Sequence, residues 1–136
     1  MSAVIALDVG TKRIGVAVGE GTFAFPHSTL ERTNVRDDVG TIVALARERG
    51  VRTIVVGDPL TMSGERALAS ERIDAFVAHL ERAFDGAIER VDERLTTAAA
   101  QKALIDADVS RAKRKKVIDQ LAAVGILETW LARRPR

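Results

Sequence analysis

The sequence has no cysteine and no tyrosine, and only four phenylalanines and one tryptophan among 136 residues. Without cysteine there are no disulfides and no thiolate metal sites, and the redox compartment stays open. Aromatic residues at 4% make base stacking a poor source of affinity for any nucleic-acid ligand. The two histidines, His27 on an expected edge strand and His79 on an expected helix, are too separated to form a zinc set. No G-x-S-x-G elbow and no His-centred triad pattern occurs. No apolar run approaches the ~20 residues of a membrane span. The opening apolar segment lacks a cationic lead, so neither a membrane anchor nor a secretory signal is expected. A cytoplasmic location is the default.

What remains is a chain 46% hydrophobic and 29% charged, whose length suits one domain over residues 1–136. Such a domain buries roughly 70% of its unfolded surface. The net charge is only +2, but it is unevenly placed. Residues 109–136 carry eight basic and two acidic side chains, whereas residues 1–108 are net acidic. That polarity fits either a polyanionic partner at the C-terminal quarter or a solvated basic helix.

Hydrophobic periodicity orders the elements as βββαβαβαα. Residues 3–9 form a β-branched apolar run, and Ile14, Val16 and Val18 alternate with Gly15, Ala17 and Gly19. Small residues on one side of that second strand imply close approach by packing or by ligand. Residues 23–31 read as a third strand, pushed to an edge by Pro26. A helix is expected from Val35 to Arg49, stopped by Gly50. "TIVVG" reads as a buried strand, "DPLTMSGE" as a polar loop and "AIERVD" as a fifth strand. Between those last two lies a long helix with Ile73, Phe76, Val77, Leu80 and Phe84 at helical spacing. Further helices are expected at 97–107, with Thr96 as N-cap, and at 112–133. A three-strand meander followed by strands reached through crossovers predicts a mixed five-stranded sheet flanked by helices.

A few acids stand apart from the helix-surface majority. Asp8 ends the first strand, Asp58 the fourth, and Asp92 with Glu93 the fifth, where crossover sheets collect ligand sites. Asp119 shares a helical stripe with Ala122, Ala123, Ile126 and Trp130, the last expected in the core. An acid in an apolar stripe serves either a helix-to-sheet ion pair, with Arg94 or Lys12, or a ligand. Two carboxylates about 4 Å apart repel by roughly 4 kcal/mol at an effective dielectric near 20. Three converging anions therefore need protonation, several cations or a divalent metal, and all-oxygen ligation suits Mg²⁺ or Mn²⁺. "GDPLTMSG" is not a P-loop, because no G-K-[ST] closes it.

Four blocks in order, "LDVGTKRIGVAV", "VVGDPLTMSGE", "DERLTT" and "KKVIDQLAAVGILETWL", span residues 7–131. In these the chain resembles the YqgF family of ribonuclease H-like proteins, to which Holliday junction resolution and pre-16S rRNA processing are ascribed. The resemblance implies a ribonuclease H-like α/β fold and metal-dependent phosphodiester cleavage. It puts the family's acids on Asp8, Glu93 and Asp119. A two-metal site of that kind holds its ions roughly 4 Å apart, bridged by one carboxylate. Asp8 is the expected bridge, with Mg²⁺ or Mn²⁺ as cofactor. Lys12, Arg13 and Arg94 would then hold flanking phosphates, and Lys113, Arg114, Lys115 and Lys116 would steer the backbone inward. The family usually reads G-L-P where this chain has Gly57-Asp58-Pro59. Asp58 is therefore either an added metal ligand or a substitution paired with Lys12 or Arg66.

Three function classes compete. The favoured one is an RNA nuclease in ribosomal RNA precursor processing, a monomer or weak homodimer. Its nearest alternative cuts four-way DNA junctions and requires a symmetric dimer. A second class is a non-catalytic nucleic-acid-binding module, whose binding would survive loss of Asp8. A third is an actin-like ATPase, suggested by D-x-G-T after a strand, but such proteins clamp nucleotide between two domains.

Overall fold

A continuous apolar run forms β1 (Val4–Val9), and β2 (Arg13–Glu20) and the more exposed β3 (Phe23–Glu31) complete a meander with it. The computed structural model describes residues 3–58, 65–92 and 111–133, the side chains of 65–70, 92 and 111–116 excepted. A two-residue turn with Gly21 at φ 62° joins β2 to β3, as tight hairpins require. Pro26 is accommodated because β3 is an edge strand and its pairing with β2 shifts register at Val16/Ala17. Helix α1 (Val35–Glu48) starts at Asn34, whose side chain accepts from the Asp37 amide, and ends before Gly50 at φ 67°. It leads to β4 (Thr53–Asp58), α2 (Glu65–Ala83), β5 (Ala87–Asp92) and α3 (Arg111–Arg133).

The sheet order is β3-β2-β1-β4-β5, antiparallel among the first three strands and parallel from β1 to β4 and β4 to β5. This is the mixed ribonuclease H-like sheet expected from the sequence. The helix expected at 97–107 lies outside the described residues, as does most of "DPLTMSGE".

Strand alternation divides the core in two. On one face Ile5, Leu7, Ile14, Val16, Ile54 and Val56 meet α1 and α2 through Val39, Ile42, Phe76 and Leu80. On the other, Val4, Ala6, Ala17, Val55 and Val91 meet α3 through Ala123, Ile126, Leu127 and Trp130. Trp130 is only 7% exposed and belongs to the core, as its stripe predicts. Each large side chain so buried contributes about 1.5–3 kcal/mol. Because α3 alone covers its face among the described elements, its position fixes whatever is built there.

Candidate functional site

The small side of β2 decides how close α3 comes. Arg13, Gly15, Ala17 and Gly19 alternate onto that face. A Cβ on Gly19 would sit 2.9 Å from a methyl of Leu127. A Cβ on Gly15 would collide with the main-chain carbonyl of Asp119. Helix α3 therefore rests on the bare backbone of β2, and the turn carrying Asp119 is its lowest point.

Gly15 is also the register partner of Asp8. Directly opposed residues of antiparallel strands lie about 5 Å apart and face the same side. Asp8 shares its face with Val4 and Ala6, which pack under α3. On the other flank, one step past the paired Leu7 and Val56, β4 carries Gly57. Asp8 thus stands between two glycines, on the face onto which α3 lowers Asp119. Across β2, Thr29 pairs with Gly15 in register and accepts a 3.1 Å hydrogen bond from Gln120 Nε2. That bond ties the residue next to Asp119 to β3.

Asp119 is held by Arg13, whose Nε donates to Oδ2 at 2.7 Å. Both side chains are about one-fifth to one-quarter exposed, at 24% and 20%. The hydrogen bond and the charge of Asp119 raise the pKa of Arg13. The ion pair that the stripe left open, with Arg94 or Lys12 as candidates, is made here with Arg13, while Arg94 lies outside the described residues. Lys12 is exposed in the turn between β1 and β2.

That turn is clamped from below. Gly10 N–H donates to the Arg13 carbonyl at 2.8 Å, and Arg32 N–H donates to the Lys12 carbonyl at 2.9 Å. Arg32 Nη1 also donates to the Gly10 carbonyl at 2.7 Å, while its Nε donates to Asp38 at 2.8 Å. The Arg32 guanidinium lies 5.5 Å from the Phe76 ring centroid. Asp38 is 5% exposed, the one buried charged residue among those described. It accepts further bonds from the Thr33 amide and hydroxyl. Burial pushes its pKa up, but the bonds from Arg32 and Thr33 outweigh this and hold it below the ordinary value.

Asp58 is placed elsewhere. It alternates with Ile54 and Val56, so its side chain belongs to the α1/α2 face, opposite that of Asp8. Its described partner is Arg90, with Nε 3.5 Å from Oδ2, and not Lys12, while the side chain of Arg66 lies outside those described. Arg90 in turn reaches Asp74 of α2 through Nη1 at 2.6 Å. Asp58 Oδ1 is buried without a hydrogen bond. The structure does not bring Asp58 to Asp8 and Asp119.

Glu93 and Arg94 lie outside the described residues, two and three positions past Val91. Lys113, Arg114, Lys115 and Lys116 fall in the first turns of α3, and the first turn of that helix contains no acidic residue. Cations at a helix N-terminus oppose the macrodipole, so their placement costs stability that a bound anion would offset. Asp8, opposite Gly15 in register, and Asp119, seated on Gly15, are hard oxygen donors, a chemistry that suits Mg²⁺ or Mn²⁺ and not zinc. Among the described residues no group of three acids or histidines forms a metal set.

The family model RuvX, described as Holliday junction resolvase, matches residues 2–133. The chain belongs to the RuvX family. The relationship covers both Asp8 and Asp119 and agrees with the YqgF resemblance of the four sequence blocks. RuvX relatives include a protein of Clostridium perfringens named "Putative pre-16S rRNA nuclease", 43% identical over 132 residues and 96% of each chain. A protein of the same name from Halalkalibacterium halodurans is 46% identical over 133 residues and 95% of each chain. Among solved structures, Thermus thermophilus RuvC in complex with a Holliday junction substrate is similar in fold. Its TM-score is 0.50 at 12% identity, covering 95% of this chain and 96% of that one.

For this RuvX member, sequence reasoning missed the Arg32–Asp38 clamp and the partner of Asp119. Asp38 reads as an ordinary first-turn acid, and Arg32 as the polar end of an edge strand. The one available signal was the "RTN" cap, which marks where the chain turns back toward the meander.

Proposed function

We propose that this chain is a divalent-metal-dependent nuclease that hydrolyses phosphodiester bonds of RNA, in ribosomal RNA precursor processing in the cytoplasm. The observation that carries the proposal is the seating of Asp119 on Gly15, directly beside Asp8. That seating puts two acids on one face of the sheet, beside the end of β1. Asp8 and Asp119, with Glu93, would hold Mg²⁺ or Mn²⁺. Bound there, the metal would supply a water of lowered pKa and neutralise charge on the leaving oxygen.

The chain's own residues do the rest. Asp8, fixed in the middle of the sheet, has little freedom to move. Arg13, Lys12 and Arg94 meet the phosphates flanking the cut, and the cations at the start of α3 draw the backbone in. Few aromatics are available, so recognition is led by phosphates and is salt-sensitive. RNA is favoured by the name the curated relatives carry, and this member acts as a monomer or weak homodimer.

The family's description favours a second reading, in which a dimer cuts four-way DNA junctions. The two are separated by offering single-stranded RNA, a structured ribosomal RNA precursor and a four-way DNA junction, each with Mg²⁺, Mn²⁺ or chelator. Cleavage of RNA that stops with chelator is the expected result. Paired symmetric nicks in the junction alone would overturn it.

A further inference from the structure

Resting on that reading of Asp119 as a metal ligand, we infer that Arg13 is an exchangeable counter-ion. It holds Asp119 while the metal is absent, is displaced when a cation arrives, and is thereby freed to take a phosphate of the substrate. The pair spans 106 residues of sequence and is made at 2.7 Å on the face that carries Asp8. A guanidinium and a divalent cation draw on the same carboxylate charge and repel one another at contact range. Asp119 therefore cannot serve both at full strength. The bond is partly exposed, at 24% and 20%, so exchange needs no opening of the core.

Arg13 stands at the start of β2 with Gly15 two positions on, so a displaced guanidinium remains over the same face. An anion on the substrate satisfies it there better than solvent does. Two ligands that each release a partner for the other are coupled, and the coupling is reciprocal. Phosphate drawn onto Arg13 strengthens metal binding by the factor by which metal strengthens phosphate binding. Arg13 thus acts in turn on Asp119, before the metal binds, and on a substrate phosphate afterwards. It differs from a fixed structural salt bridge, which would lend Asp119 its working orientation and improve metal affinity.

The test is titration of the full chain with Mn²⁺ alone, followed by electron paramagnetic resonance of the free ion. Wild type, R13Q, R13K, D8N and D119N are compared, with melting curves confirming that each is folded. R13Q is expected to bind Mn²⁺ about tenfold tighter than wild type, because one competing charge-assisted bond is gone. R13K should fall between them. In a second arm, oligoribonucleotide affinity is measured with and without Ca²⁺. The gain that Ca²⁺ gives to wild type should shrink in R13Q. Unchanged or weaker Mn²⁺ binding by R13Q, or an undiminished Ca²⁺ gain, overturns the exchange. Mn²⁺ binding that D8N and D119N leave untouched, or none by wild type, overturns the metal-site reading itself.

Discussion

Gly15 lies beneath the main chain of Asp119, with no room between them for a single carbon atom. Substituting Gly15 with Ala forces α3 away from β2, because the obstacle is backbone and not a side chain that can rotate. The expected loss is about 1–3 kcal/mol of stability. Displacing Asp119 by about 1 Å would also lower cleavage about a hundredfold. Gly19→Ala is the control. Its Cβ meets a Leu127 methyl that can give way, so both stability and activity should stay much closer to wild type. Chemical denaturation and a cleavage assay on both variants check the contrast.

Asp8→Asn removes the charge at the centre of the site while keeping its shape. Metal-dependent cleavage should disappear, and the melting temperature should stay near that of wild type. Nucleic-acid binding that persists alongside undiminished cleavage would remove Asp8 from the catalytic set.

Asp58 faces α2 and leaves one carboxylate oxygen buried without a hydrogen bond. Asp58→Leu should leave Mn²⁺ affinity and cleavage unchanged. Its stability should match or exceed wild type by up to about 1 kcal/mol, since Arg90 keeps Asp74 at 2.6 Å. A fall in metal affinity would restore Asp58 to the ligand set.

Asp38 has a depressed pKa in the folded chain, because the bonds from Arg32 and Thr33 exceed the opposing effect of burial. A depressed carboxyl stabilises the fold fully above its unfolded pKa, near 4, and that contribution disappears as pH falls through its lower folded value. Asp38→Asn should therefore cost about 2–3 kcal/mol at pH 7. The gap from wild type should close as pH drops below about 4. Denaturant melts across pH 3–7 measure both.

Lys115→Gln with Lys116→Gln should weaken RNA binding without touching the metal. For every phosphate that a substituted lysine no longer neutralises, the slope of log K against log salt should flatten by about 0.7 on a single strand. Fluorescence anisotropy at several salt concentrations reads the slope directly.

Much of this fold is legible in the amino-acid order. Periods of two and 3.6, with continuous apolar runs for the doubly covered β1 and β4, locate the described elements to within a residue or two. The "GVAVG" side of β2 announces a close approach, and the Asp119 stripe announces an acid carried into the core layer. Partners are harder to read. Arg13, Arg90 and Arg32 are each one of many cations in the chain. Which of them meets Asp119, Asp58 or Asp38 depends on strand parity and helix height, and local sequence encodes neither. Asp58 shows the point most plainly. One position of strand alternation places it across the sheet from Asp8, although both close a strand at the same edge.

The docking of α3 on β2 also sets an order of events during synthesis. Asp8 and the whole meander leave the ribosome well before Asp119 does, since Asp119 lies 111 positions further along the chain. The strands can begin pairing in that interval, but the patch beside Gly15 holds only one of its two described acids. On the proposed reading of Asp8 and Asp119, the site is therefore completed late, with the last helix, and a half-made chain emerging from the ribosome lacks one of its ligands.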